Sequence, residues 1–294
     1  RYLQYVIYQV DVQKGCLIMF EKTWSRFFTR YILLGLLLVF SLAPIIWIFL
    51  TSLKNRIDIF SYPPKFFFHP DPSAYYRFLI PGNESILDKL FNTGIIAFGG
   101  TLLTLLTSCL AAYAFSRYQF KGRKFLLYLV LASRLLPPIT AVIPLFMMMN
   151  SLNLIDTHVS LIVIYCALNL PFAIWMMKSY FDGIPVELEL SAQIDGCSKL
   201  KALRYVTLPL AAPGMVATAI FVFVLCWNEY MFAFIFTSVN AKTVPVRIAE
   251  TLGELQIYWQ DMATLAMIVI LPALIFSFYM QKHMVKGLTT GALK

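Results

Sequence analysis

Charge is what this sequence has least of. Asp, Glu, Lys and Arg make up 13% of its 294 residues, against about 25% in a soluble globular domain, which excludes an ordinary water-soluble fold. Acids are scarcer than bases, 15 to 24, leaving a formal net charge of +9. The three histidines, His69, His158 and His283, are scattered, and the five cysteines, Cys16, Cys109, Cys166, Cys197 and Cys226, fall mostly in apolar runs. Neither set has metal-ligand or disulfide spacing, so the cysteines read as small apolar fillers and no metal site is expected. There is no G-x-x-x-x-G-K-[ST] to cradle nucleotide phosphates, no H-E-x-x-H and no G-x-S-x-G, so no catalytic residue is nominated and an enzyme is not expected. Internal repeats and low-complexity tracts are absent too. A basic excess can signal nucleic acid, but membrane chains collect Lys and Arg in their cytoplasmic loops, which accounts for it without a nucleic-acid partner.

What is present is apolar length. Hydrophobic residues are 60% of the chain and its mean hydropathy is +0.73. Six runs stand near the roughly 20 residues a bilayer demands, at about 31–53, 91–115, 124–150, 158–180, 212–237 and 262–281. The loop from Arg117 to Lys124 carries Arg117, Lys121, Arg123 and Lys124 with no acid, and the tail holds Lys282 and Lys286, whereas Asn150 to His158 has no Lys or Arg at all. That bias puts both termini in the cytoplasm. The expected fold is an all-α polytopic membrane protein, six transmembrane helices, N-in and C-in, immersed in lipid. Residues 1–30 would form a cytoplasmic N-terminal segment with Lys14, Lys22, Arg26 and Arg30 among its aromatics, without a signal-peptide pattern. Lys54 to Leu90, rich in proline, reads as ordered loop with little regular structure.

Between the fourth and fifth runs lies a polar stretch, Phe181 to Gly214, which must stand in water beside the membrane. It predicts two short helices in a cytoplasmic loop at 182–211. Pro185 suits a first helical position, and Glu187 and Glu189 favour the first turns. Asp195-Gly196 stops that helix, because glycine accepts a left-handed C-cap. Ser198 caps the next, which carries Lys199, Lys201 and Arg204 and is expected to end before Pro209. Leu188, Ala192 and Ile194 leave a small apolar stripe on the first helix. Such a stripe fits a groove on a partner, or equally the headgroup layer of a membrane.

Polar groups inside spans are functional candidates by default. Arg134 precedes Leu135-Leu136-Pro137-Pro138, where it either caps carbonyls freed by the proline break or serves function. Asn169-Leu170-Pro171 interrupts the fourth run, and Glu229 falls near the outer end of the fifth. Arg134 and Glu229 are separated in depth by about 10 Å on helical geometry, which argues against a direct pair. Pro137, Pro138, Pro144 and Pro171 would kink helices around a central cavity.

The polar stretch resembles the cytoplasmic "EAA" coupling loop of ATP-binding-cassette importer permeases, with the pattern E-A-A-x-x-D-G followed by I-x-L-P. Here Leu190-Ser191-Ala192-Gln193-Ile194-Asp195-Gly196 and Val206-Thr207-Leu208-Pro209 fall in register, with Leu190 where the family has Glu, Ser191 for Ala, and Glu189 one position early. Arg134 to Pro138, Asn169 to Trp175, Trp227 to Tyr230, and the opening Ser52-Leu53-Lys54, Ile59-Phe60 and Pro63-Pro64 resemble the carbohydrate subfamily, close to the second membrane subunit of maltose-type importers. The resemblance runs from about residue 31 to the C-terminus. It implies that 31–294 is an importer transmembrane domain in a bacterial inner membrane, multi-pass, which translocates a sugar or oligosaccharide. It implies four kinds of partner: a second homologous permease subunit, two ATPase subunits holding the ATP and magnesium, an extracytoplasmic sugar-binding protein, and lipid. This chain itself would bind no cofactor. Coupling to the ATPase would fall to Glu187, Glu189, Leu190, Ser191, Ala192, Asp195, Gly196, Leu208 and Pro209. The sugar path would draw on Asn169, Trp227, Asn228, Glu229 and Tyr230, and contact with the binding protein on Gly253, Gln256 and Tyr258 of the loop at 239–261. The alternative is a self-contained secondary transporter coupled to ions or protons through Glu229 and Arg134; it predicts inverted repeats, which the sequence does not show.

Overall fold

The computed structural model describes residues 30–82, 85–253 and 257–291. Residues 1–29, most of the expected N-terminal segment, and Gln256 lie outside them. The described residues are almost entirely helical, and an antiparallel bridge joins Leu252 to Ile257. Among the described residues five helices are long and apolar enough to cross a membrane, six if one bent pair counts as a single span.

The long elements are α1 (Arg30–Ser52), α4 (Leu87–Arg117), α7 (His158–Asp182), α10 (Leu208–Trp227) and α13 (Trp259–Gly291). Short helices α2 (Arg56–Ile59) and α3 (Ser73–Leu79) occupy the segment expected to be mostly irregular. Helices α4 and α7 run parallel: His158 hydrogen-bonds Asn92 at one end (2.7 Å) and Ser116 donates to Asp182 at the other (2.6 Å). Helix α10 runs against both, because Gly214 meets Tyr180 near the second end while Cys226 meets Gly100 nearer the first.

Glycine makes the closest of these approaches. A Cβ on Gly214 would lie 2.2 Å from Cγ of Tyr180, the root of the ring rather than its tip. Gly214→Val should therefore force α7 and α10 apart and lower stability by about 1–3 kcal/mol, read as a fall in thermal midpoint in detergent. Gly99→Ala, facing the flexible Cδ1 of Ile162 at 2.7 Å, should cost less; equal losses would show that closeness alone does not set the effect.

Two expected spans are broken rather than merely kinked. The run at 124–150 is α5 (Arg123–Ala132) and α6 (Val142–Ser151), joined through 3-10 turns and bent by 98°. Leu136 is extended (ψ 129°) because it precedes proline, and Pro137 and Pro138 have no N–H to continue a helix. The run at 212–237 stops at Trp227 and resumes as α11 (Met231–Phe236). Its start is also corrected. The second short helix, α9 (Lys199–Ala202), does not end before Pro209; it passes through a π-turn at Leu203–Thr207 directly into α10. The Leu208 N–H reaches back five residues to Leu203 O. That wider turn places Pro209 in the first turn of α10, where a missing N–H is tolerated.

Candidate functional site

Two polar centres stand out, one at the Asp182 end of α7 and one at mid-depth. The first surrounds α8 (Val186–Ile194), which starts after Pro185 (φ −55°, ψ 131°) and ends at Asp195, with Gly196 at φ +89°. Ser198 caps α9, its side chain accepting from Lys201 N at 3.4 Å. Glu189 is 3% exposed. Its carboxylate accepts from Arg117 Nε (2.7 Å), Tyr113 OH (2.9 Å) and Thr207 Oγ1 (2.8 Å), while the Arg117 guanidinium also donates to Ile184 O (3.0 Å). Burial raises the Glu189 pKa, but the Arg117, Thr207 and Tyr113 donors outweigh it and hold the group below its ordinary value. This corrects the assignment of Glu189 to a partner-facing surface. One carboxylate binds α4, α8 and the π-turn into one body.

With Glu189 turned inward, α8 turns other residues out. Ile194 is 86% exposed, Leu190 52%, and Glu187, Ser191, Asp195 and Gly196 are exposed as well, with Ala192 partly covered. Leu208 and Pro209 belong to the helix that α9 enters, not to a loop.

The second centre is a cavity of about 490 Å³ where two helix breaks meet the proline-containing middle of α7. The α5–α6 break supplies Arg134 and Thr140, the Pro171 region of α7 supplies Asn169, and the α10–α11 gap supplies Glu229 and Phe232. Arg134 sits over the Phe172 ring at 5.0 Å and has no carboxylate within ion-pair reach among the described residues. Glu229 accepts from Tyr165 OH (2.7 Å) and from the N–H groups of Phe232 (2.9 Å) and Ala233 (3.1 Å), capping α11. Asn169 donates to Tyr165 O (2.8 Å). Arg134 and Glu229 thus line one cavity despite their expected difference in depth, because neither parent helix continues straight.

Three residues expected on the path stand outside this cavity. Trp227 is 4% exposed and packs on Phe223, with no hydrogen-bond partner for Nε1 among the described residues. Asn228 donates to Val224 O, ending α10 (2.8 Å). Tyr230 stacks on Phe234 (5.5 Å). None of the three lines the cavity.

At the opposite end from α8, Gly253 and Tyr258 are exposed beside the Leu252–Ile257 bridge, and α12 (Val244–Ala249) interrupts the loop. Sequence reading missed an anchor here. Asp156, at φ +59°, accepts from the backbone N–H groups of Ser238, Val239, Asn240 and Ala241 at 2.9–3.2 Å. Burial raises its pKa, but those four donors hold the carboxyl well below the usual carboxylate range. No local motif announces a bond spanning more than 80 residues; a lone acid with left-handed backbone tolerance was the only signal.

Comparison with known proteins gives this geometry a family. The chain is 38% identical over 275 residues to the sulfoquinovosyl glycerol transport system permease protein SmoH of Agrobacterium fabrum, covering 92% of this chain and 96% of that one. It is 37% identical over 261 residues to the trehalose/maltose transport system permease protein MalG of Thermococcus litoralis, covering 88% and 94%. A crystal structure of a bacterial ABC transporter for the acidic polysaccharide alginate shares the fold (TM-score 0.71, 24% identity, 86% of this chain and 94% of that one). Residues 104–290 match the family of binding-protein-dependent transport system inner membrane components; the chain belongs to that family and is a multi-pass inner-membrane permease subunit, not an enzyme.

Proposed function

We propose that this permease passes a sugar or oligosaccharide through the mid-depth cavity, driven by ATP hydrolysed on separate subunits that grip α8. The relatives named above carry glycosides, and the cavity offers what a polyhydroxylated cargo needs: donors on Arg134, an acceptor on Glu229 and the ring of Phe232. In this reading the chain makes six spans with α5–α6 as one. The α8 end is cytoplasmic, since Arg117, Lys121, Arg123 and Lys124 lie there, and the termini share that side. An ATPase dimer holding ATP and magnesium would move α8 through Glu187, Leu190, Ser191, Ala192, Ile194, Asp195 and Gly196, with a second permease subunit closing the cavity. Gly253 and Tyr258 would face the binding protein. Membership of a binding-protein-dependent family sets the ion-coupled alternative aside.

The observation that carries the coupling role is the turned-out apolar side of α8 on a helix locked from within by Glu189. Ile194→Glu in the reconstituted complex, supplied with the ligand that copurifies with its binding protein, should cut uptake and binding-protein-stimulated ATP hydrolysis roughly tenfold or more, because it buries an unpaired charge in the interface. Unchanged stimulation would overturn the docking assignment.

A further inference from the structure

Lys54 ends the first span in an unusual setting. The residue is 3% exposed, yet among the described residues its ammonium has no carboxylate within ion-pair distance. Its neighbours are rings: Trp47 at 4.9 Å and Phe68 at 5.2 Å from Nζ to centroid. A buried cation facing only π-systems keeps its donor hydrogens unspent. Lys54 also lines a pocket of about 250 Å³ whose other walls include Trp47, Ile48, Ile59, Trp259, Met262 and Ala263.

The position selects the occupant. The pocket opens where the C-terminal end of α1 meets the first turns of α13, tied by Thr264 Oγ1 donating to Ser52 O at 3.3 Å. Both helices are spans, so this junction lies at the edge of the hydrocarbon, at the end of the bundle opposite α8. Tryptophans at such a level are interfacial anchors. A cation with no acceptor beside a narrow apolar slot, at that depth, suits an anionic lipid rather than a solute. We propose that this site holds a glycerophospholipid, its phosphate on Lys54 Nζ and part of one acyl chain in the slot between α1 and α13. The phosphate would supply the acceptor that Lys54 lacks, and the chain would cover apolar walls. The inference is independent of which sugar is carried.

Lipid retained by the detergent-purified complex tests it, by native mass spectrometry through a delipidating wash. Wild type should keep a bound phospholipid. Lys54→Met, which retains the apolar stem, should keep roughly tenfold less or lower still, as expected for loss of one charge-assisted contact. Ala263→Leu, which leaves Lys54 intact but narrows the slot, should also release lipid, while millimolar inorganic phosphate should displace none. The proposal is overturned if wild type retains no phospholipid, if both variants retain it fully, if inorganic phosphate empties the site, or if Lys54 cross-links to a carboxylate of a neighbouring subunit. Failure here with uptake intact would leave the transport reading standing.

Discussion

Glu189→Ala is expected to lower the stability of this permease by about 3–5 kcal/mol and to uncouple hydrolysis from uptake. The magnitude follows from leaving the Arg117 guanidinium, its side chain 8% exposed, without its carboxylate. Tyr113 and Thr207 lose an acceptor at the same time. The double variant Glu189→Met with Arg117→Met should regain most of that stability, since an apolar pair leaves no buried charge, yet should not regain coupling if the tie itself transmits motion. Thermal midpoints report the first effect, and ATP hydrolysed per sugar imported the second. Full coupling in Glu189→Ala would sink the mechanical role. Acid should act in the same direction. Because the folded pKa of Glu189 lies below its ordinary 4.5, its contribution is complete above that value and is lost as pH falls through the lower folded one.

The second large effect is expected at Arg134. Arg134→Met should reduce uptake roughly tenfold to a hundredfold, the equivalent of one or two charged hydrogen bonds to cargo, while ATP hydrolysis still responds to the binding protein. The distinction matters because Arg134 is remote from α8, so a loss confined to uptake marks the path rather than the motor. Arg134→Lys should recover little if the planar guanidinium grips two oxygens at once. Normal uptake by Arg134→Met would mean that the cation only steadies Phe172.

Much of this was legible in the sequence, for reasons that differ from place to place. Span positions follow from apolar run length, and the end of α8 follows from Gly196, whose positive φ few other residues tolerate. The α5–α6 break is written in Pro137-Pro138, although its angle is not. The direction Glu189 faces was hidden, because its partners Tyr113 and Arg117 lie more than 70 residues away and only packing selects them. Trp227 was misread in kind: an aromatic beside a conspicuous Asn228-Glu229 pair invited a role in the path, but its ring completes the core against Phe223. The fusion of α9 with α10 was missed because a proline near a helix start looks the same as a proline after a helix end.

None of the apolar stretch of α1 is buried, and its C-terminal end reaches the bundle through Ser52, whose carbonyl meets Thr264 across 212 residues of chain. That separation governs biogenesis. During synthesis at about 5–20 residues per second, the first span must wait in the bilayer for roughly 10–40 s before the helix that docks it has been made. It is greasy enough to do so, and until then its partners lie in the segment just after it, Phe66 beside Trp47 and Tyr75 on the Ser52 hydroxyl.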